Sequence, residues 1–238
     1  MIRAVAFCPH PPVLVTDVAG SAASELDGLR EAAASAITAA YGAGVQLVLI
    51  GAGEVSRAHS PLARGSFAAY GVPGDLHLGN PSCGGAEELP LSLTVGAWLV
   101  REALGPRTNA RGFSIGPDFG GSAAAVELLA LAQESDMALI VMGDGSARRS
   151  LAAPGYLDER AEAFDAGVAT ALASGDPEAL AAIDATLGRE LAAAGVPAWH
   201  AAADVFTGRY AARVGYDDAP FGVGYFVASW LDPTADAA

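Results

Sequence analysis

A histidine follows the first apolar segment of the chain, where its imidazole can bind a metal or transfer a proton. His10 comes after residues 2–7, a short apolar run that is followed by prolines and predicts a β-strand. Imidazole is the commonest metal ligand among side chains, and it titrates near neutrality. In the alternative interpretation, His10 is a loop histidine held between Pro9 and Pro11. Its place directly after a strand favours the functional role.

A carboxylate and a second histidine follow the next apolar run. Glu54 and His59 come after residues 45–50, which also predict a strand. Two histidines and one carboxylate with open positions are the usual ligands of non-haem Fe(II) oxygenases. His10, Glu54 and His59 together therefore predict a metal site. In the alternative interpretation, Glu54 caps a turn or a helix and His59 is a solvated surface group.

Charged residues also follow the later apolar runs. Asp118 comes after residues 111–115, and Asp144 comes after residues 137–142 in a Gly-Asp-Gly-Ser turn. Arg148 and Arg149, a few residues on, can clamp a carboxylate or a phosphate. Alternatively, Asp144 only bonds the loop backbone in an Asx-turn, and the two arginines are exposed charges.

The elements that must position these residues alternate between strand and helix. Strands are predicted at residues 2–7, 45–50, 111–115 and 137–142, and helices at residues 24–40, 91–104, 123–133 and 156–172. This alternation predicts an α/β fold with a mostly parallel, doubly wound sheet covered by helices on both faces. Ligands of such sheets bind beyond the carboxyl ends of the strands, which is where the candidate side chains fall.

The rest of the chain adds smaller elements. Residues 67–69 and 75–78 predict a hairpin through the turn at residues 71–74, and glycines at residues 42–44 predict another turn. Asp176, Pro177 and Glu178 predict a helix start that continues to Leu187, or breaks there and resumes until Gly195. A further helix is predicted at residues 204–212, before a last apolar segment at residues 221–231. We expect one domain over residues 1–232 and a frayed tail at residues 233–238.

Composition excludes several classes of protein. The 238 residues carry a formal net charge of -14, which opposes nucleic-acid binding. The uncharged stretch at residues 89–100 is too short to span a membrane, and the N-terminus lacks the features of a signal peptide. Cys8 and Cys83 form no CxxC pair, so we expect a cytoplasmic protein without disulfides. His77 and His200 are expected to be structural or exposed.

Three segments of the chain together resemble the class III extradiol ring-cleavage dioxygenases. They read CPHPPVLV at residues 8–15, GDGSAR at residues 143–148 with PGY and AFD following, and YDDAPFGVGY at residues 216–225. The resemblance is to the branch that includes the protocatechuate 4,5-dioxygenase beta subunit and actinobacterial subunit-B-like sequences. Memo-like proteins share the fold of this family.

The resemblance implies an Fe(II) site at the strand ends, at which a catechol and O2 bind. His10 matches the first ligand, and the second falls near Gly53, Glu54 or His59. Asp218 best matches the carboxylate ligand, with Asp217 adjacent. The implied metal ligands are therefore His10, Glu54, His59 and Asp218, and Asp144 and Arg148 are expected in the catalytic site.

The chain departs from the family at two positions. Arg148 stands where active relatives carry a proton-transferring histidine, and a guanidinium cannot act as a general base. Gly53 and Glu54 replace the histidine that directly follows the second strand. Two other functions therefore stay open. One is metal binding without oxygenase activity, with Zn or Cu in the Memo manner, or hydrolysis. The other is a scaffold without catalysis that binds a small molecule, a small partner subunit or a second copy.

Overall fold

A computed structural model describes residues 1–42, 45–79 and 87–234 of the chain. Three sequence predictions fall wholly or partly outside these residues. They are the end of the glycine turn at residues 43–44, the second cysteine, Cys83, and the tail at residues 235–238.

The strands form one large sheet and a small hairpin. Within the described residues the large sheet has seven strands in the order β3-β6-β2-β7-β1-β9-β8, and β4 pairs with β5. The strand bounds are β1 Ile2–Cys8, β2 Gln46–Ala52, β3 Arg57–His59, β4 Arg64–Ser66, β5 Asp75–His77, β6 Ala110–Ile115, β7 Met137–Met142, β8 Ala211–Asp218 and β9 Tyr225–Leu231. The predicted strands β1, β2, β6 and β7 are confirmed.

Helices cover both faces of the large sheet. Their bounds are α1 Thr16–Ala19, α2 Asp27–Ala40, α3 Leu91–Leu104, α4 Ala123–Glu134, α5 Ala161–Ser174, α6 Pro177–Ala181, α7 Ala185–Glu190 and α8 Val196–Ala203. Two caps predicted from the sequence are confirmed, because Ser122 accepts the amide of Ala125 and Asp176 accepts the amide of Glu178. None of the helices in the described ranges is long and apolar enough to cross a membrane.

Each face of the sheet has its own apolar core. On one face, residues of α2 and α3 pack against alternate residues of the central strands, such as Ala6 and Leu49. On the other face, α4, α5 and α8 pack against Phe7 and Val48. Because the central strands are buried on both faces, they read as continuous apolar runs in the sequence.

The sheet is mixed rather than mostly parallel, which corrects the prediction. The pairings β6-β2, β2-β7 and β7-β1 are parallel, whereas β3-β6, β1-β9 and β9-β8 are antiparallel. The four central strands follow the predicted alternation with helices. The outer strands β3, β9 and β8 add the antiparallel pairings. Strand β3 has three residues and β8 is partly exposed, so neither gives the continuous apolar run of a central strand.

The helix predicted at residues 204–212 is wrong. Helix α8 ends at Ala203, and β8 begins at Ala211 as an edge strand that pairs along its length with β9. Exposed and half-buried residues alternate along β8. Since one side of an edge strand faces solvent, its sequence contains charged residues and small alanines that are equally compatible with a helix.

Four other predicted boundaries change. The first strand of the hairpin is Arg64–Ser66 rather than residues 67–69. Helix α5 begins at Ala161 instead of residue 156, because Tyr156 has a left-handed φ of 63° that no helix accommodates. Helix α2 begins at Asp27 rather than residue 24. The segment after Asp176 breaks before residue 187 and forms the separate helices α6 and α7.

The chain leaves the carboxyl ends of neighbouring strands toward opposite faces. After β1 it runs to α2 on one face, and after β7 it runs to α5 on the other. Such a divergence opens a crevice between the two strand ends, which is where ligands of open α/β sheets bind. The crevice between β1 and β7 is flanked by His10 and Asp144.

Candidate functional site

His10 and Asp144 meet at the crevice between β1 and β7. The backbone amide of His10 donates a hydrogen bond to Oδ1 of Asp144 at 2.7 Å. The same oxygen lies 3.8 Å from Nδ1 of the His10 ring. Parallel pairing of Cys8 with Met142 sets this approach, since each residue follows its strand by two positions. The structure thus brings together two of the residues that the sequence singled out.

The ring of His10 is nearly enclosed. Only 10% of its side chain is exposed, and Nδ1 is buried with no hydrogen-bond partner among the described residues. A buried polar atom without a partner costs free energy, so it marks a place where a small movement or a ligand supplies a bond. Among the described residues, Nε2 of His10 is not one of the buried polar atoms that lack a partner. Asp144 faces Nδ1, so Nε2 is the nitrogen of the ring that can meet a ligand.

Burial dominates the electrostatics of this pair. It raises the pKa of Asp144 above its ordinary value, although the nearby His10 opposes the shift. Tyr225, at the start of β9, is also buried, and its pKa is raised by burial, by the carboxylate of Asp144 and by Tyr216. The imidazole of His10 therefore lies in a crevice with a carboxyl group and a phenol whose pKa values are both raised.

A buried carboxylate fixes the loop that carries Asp144. Oδ1 of Asp165 accepts the amide of Ser146 at 2.8 Å, and Oδ2 accepts the hydroxyl of Ser146 at 2.7 Å. Arg149 donates to Oδ2 of Asp165 at 3.2 Å. Arg149 is therefore an anchor of the loop instead of a free clamp for an anionic substrate.

Arg148 does not reach the crevice through any hydrogen bond described in the structure. Its side chain is half-buried, and its Nε atom is buried without a partner in the described ranges of the chain. An added Cβ at Gly155 would lie 2.7 Å from Cγ of Arg148, so the chain packs closely over this side chain. The expected catalytic role of Arg148 stays a prediction.

A second cluster lies at the other end of the sheet, around His59. Nε2 of His59 lies 3.0 Å from Oγ of Ser114, and Nδ1 lies 2.9 Å from Oε1 of Glu87. His59 is on β3 and Ser114 is on the neighbouring strand β6. The Glu87 oxygen stands off the line of the Nδ1–H bond, so this contact has an ion-pair distance without full hydrogen-bond alignment.

The surroundings of His59 hold its ring neutral. Burial lowers the pKa of His59 below its ordinary value of 6.5, although Glu87 opposes this shift. Glu87 is itself placed by the amide of Ser60 at 3.4 Å and by Arg57 at 4.0 Å. A neutral imidazole has one N–H donor and one acceptor nitrogen, so it can link a hydroxyl to a carboxylate.

A groove with a volume of about 540 Å³ opens beside this cluster. His59 and Ser114 both line it, and so does Glu54, which is exposed after β2. Its apolar wall includes Ala52, Val55, Leu89 and Leu91. Arg57 and Glu88 add one charge of each sign. The residues predicted after the second strand therefore lie along this groove instead of the crevice at His10.

The expected metal ligands do not come together. The order of the strands separates β3, with His59, from β1 by four spacings of about 4.8 Å, or roughly 19 Å. Asp218 ends β8, is exposed, and accepts the amide of Ala219 at 2.7 Å. In the parts of the chain that the structure describes, no three histidine, cysteine, aspartate or glutamate side chains are placed to hold a metal ion. The prediction that these ligands share one centre is corrected.

The backbone also leaves no room for a ligand at Gly53. An added Cβ there would lie 2.7 Å from Cβ of Ser114, closer than such atoms approach in proteins. Of the three positions that the family resemblance offers for the second ligand, Gly53 is therefore filled by close packing between the β2 loop and β6.

The sequence predicted only part of these two clusters. Ser114 and Glu87 were not predicted, because Ser114 lies inside a strand and Glu87 belongs to the segment before α3. Ser146 and Asp165 were noted only as parts of matched segments. Asp118 is exposed and accepts the hydroxyl of Ser56 at 2.7 Å, so it holds a loop.

Comparison with known proteins supports the fold and leaves the function open. No protein-family model and no curated protein matches this sequence. A similar solved structure is the crystal structure of uncharacterized protein JW3007 from Escherichia coli K12. It is 13% identical, with a TM-score of 0.56, and the match covers 97% of this chain and 100% of that chain. Such a likeness shows a shared α/β fold over nearly the whole chain.

Proposed function

We propose that this protein is an enzyme of the extradiol-dioxygenase type of fold that binds a catechol-like molecule at the crevice between β1 and β7. In this proposal His10 and Asp144 transfer protons to and from the phenolic oxygens of the ligand. The observation that carries it is the pairing of His10 with Asp144 at a crevice between diverging strand ends. The family resemblance supplies the substrate class.

The donor set does not fit the iron centre that the resemblance implies. Of the four expected ligands, His10 alone flanks the crevice, and the other three are elsewhere or exposed. The proposed chemistry therefore uses the side chains of the protein. A buried carboxyl group next to an imidazole fixes the ring tautomer and stabilises the imidazolium that forms when Nε2 accepts a proton.

Ligand binding with a spectroscopic readout tests this proposal. Catechol and protocatechuate are titrated into the wild-type protein, and the ultraviolet difference spectrum reports whether the bound phenol ionises. We expect ionisation of the bound ligand at neutral pH in the wild type. His10→Ala is expected to abolish the difference spectrum, and Asp144→Asn to weaken binding about 10-fold.

Matched controls separate this role from general damage. His77→Ala removes a half-buried histidine that bonds the Leu62 carbonyl at 3.2 Å, away from the crevice, and should leave binding unchanged. Equal binding by the wild type and His10→Ala, or no binding by either, contradicts the proposal. Stoichiometric retention of Fe(II) with O2 uptake on a catechol would instead support ring cleavage. A stable complex with a second chain and no ligand binding would favour the scaffold.

A further inference from the structure

The cluster at β3 and β6 has the arrangement of an activated serine. The hydroxyl of Ser114, the imidazole of His59 and the carboxylate of Glu87 lie next to one another in that order. Oγ of Ser114 is 3.0 Å from Nε2 of His59, and Nδ1 of His59 is 2.9 Å from Oε1 of Glu87. Such triads are recognised by geometry and roles instead of by sequence order. The cluster is separate from the crevice at His10. Strands β6, β2 and β7 lie between β3, which carries His59, and β1, which precedes His10.

Glu87 decides which nitrogen of His59 carries the proton. A carboxylate at 2.9 Å from Nδ1 favours the tautomer with its hydrogen on Nδ1. Nε2 is then an acceptor, and it faces the hydroxyl of Ser114. The carbonyl of Val55, at 2.8 Å, competes for the same hydroxyl proton. Ser114 is activated when its hydroxyl turns away from the Val55 carbonyl and donates its hydrogen bond to Nε2 of His59.

The groove beside the cluster gives a substrate access to these groups. Ser114 and His59 line it together, although each is almost fully buried in its own strand. The apolar wall suits a short acyl chain. The two carboxylates Glu54 and Glu88 outnumber the one cation Arg57 at the groove, and the protein carries a formal net charge of -14, so anionic molecules are repelled.

We propose that Ser114, His59 and Glu87 form a second catalytic site, which hydrolyses a small, uncharged carboxylic ester. Oγ of Ser114 forms a bond to the carbonyl carbon while its proton passes to Nε2 of His59. The bond from that carbon to the alcohol oxygen then breaks, and Nε2 returns the proton to the departing oxygen. Water hydrolyses the acyl-serine by the same route, releasing the acid and restoring Ser114.

Labelling with a fluorophosphonate tests whether Ser114 is activated. The probe forms a covalent adduct only with nucleophilic serines, and intact mass followed by peptide mapping locates it. We expect one adduct per wild-type chain, at Ser114. The labelling rate is expected to fall at least ~100-fold in His59→Gln, because general-base catalysis contributes that much or more. Hydrolysis of p-nitrophenyl acetate should fall in parallel.

Ser92 provides the matched control for this experiment. It is as buried as Ser114, at 2% exposure, and its hydroxyl donates to the Ala52 carbonyl at 2.6 Å instead of facing a histidine. Ser92→Ala should label like the wild type, whereas Ser114→Ala should not label. Circular dichroism shows whether each variant is folded.

Three outcomes overturn the proposal. The first is a folded wild-type protein that forms no adduct at millimolar probe. The second is an adduct on a different serine. The third is an unchanged labelling rate in folded Glu87→Gln and His59→Gln variants. In each of these outcomes the cluster has only a structural role, which is to join β3, β6 and the segment before α3.

Discussion

Arg149 and Asp165 form an ion pair in which the aspartate is buried and the arginine is partly exposed. Nη1 of Arg149 lies 3.2 Å from Oδ2 of Asp165, and the Asp165 side chain is 1% exposed, whereas that of Arg149 is 25% exposed. The pair joins the loop after β7 to the first turns of α5. Because Asp165 also accepts two bonds from Ser146, it determines the path of the chain that carries Asp144.

Asp165→Ala is expected to destabilise the protein by roughly 3 kcal/mol, because it leaves a buried amide, a hydroxyl and a guanidinium without their acceptor. Urea unfolding followed by circular dichroism measures the change. The exposed Asp17→Ala is the control, and its effect should stay within about 0.5 kcal/mol. A loss below 1 kcal/mol for Asp165→Ala would contradict the anchoring role.

Asp165 also makes stability depend on pH. Burial raises its pKa above the ordinary value of 3.8, although Ser146 and Arg149 lower it. The folded state therefore binds this proton more tightly than the unfolded state does. That contribution to stability is complete below pH 3.8 and is lost as the pH rises through the folded-state pKa.

Comparison of the wild type with Asp165→Asn isolates this titration. The unfolding free energy of the wild type minus that of the variant should decrease as the pH rises from 3.8 toward neutrality. Urea unfolding of both proteins at a series of pH values gives the difference. A difference that grows with pH would mean that the ion pair with Arg149 outweighs burial.

The central strands could be predicted from the sequence, and the edges of the sheet could not. Strands β1, β2, β6 and β7 are buried on both faces, so their apolar runs are continuous. Edge strand β8 alternates exposed and half-buried residues, and its identity depends on pairing with β9. Local preference is weak at such a strand, and tertiary contacts decide its conformation.

Two glycines, one within α5 and one directly after it, test whether the backbone turns left-handed at the end of this helix. Gly175 ends the helix with a φ of 66°, and an added Cβ would overlap the Tyr210 carbonyl oxygen. Gly167 lies within the helix, and an added Cβ meets nothing within 4 Å. Gly175→Ala should lose roughly 2–4 kcal/mol, through both the left-handed backbone and the overlap. Gly167→Ala should gain about 0.5–1 kcal/mol from helix propensity.

Thermal or urea unfolding of the two variants gives the comparison. The substitution is chemically the same at both positions, so a difference in sign reports only the local backbone and its neighbours. Equal effects would mean that the chain does not adopt the left-handed turn at Gly175.

Only some residues of the two candidate sites could be predicted from the sequence. His10 and Asp144 could be found because both follow strands whose carboxyl ends meet at one edge of the sheet. The contact of His59 with Ser114 depends on the antiparallel register of β3 on β6, in which His59 pairs with Gly112. Glu87 lies 28 positions after His59 in the sequence. No local pattern indicates that the chain brings Glu87 back to contact this histidine.

Cys8 is expected to be unreactive in the folded protein. Its thiol is 1% exposed, and burial raises its pKa to about 12, so almost no thiolate forms near neutral pH. In a Cys83→Ser variant, Cys8 is the remaining cysteine of the sequence. Ellman's reagent should then react at least roughly 1,000-fold more slowly with the native variant than with the urea-unfolded variant, because reaction requires unfolding. Rapid reaction under native conditions would show that β1 opens at Cys8 far more readily than its central place in the sheet implies.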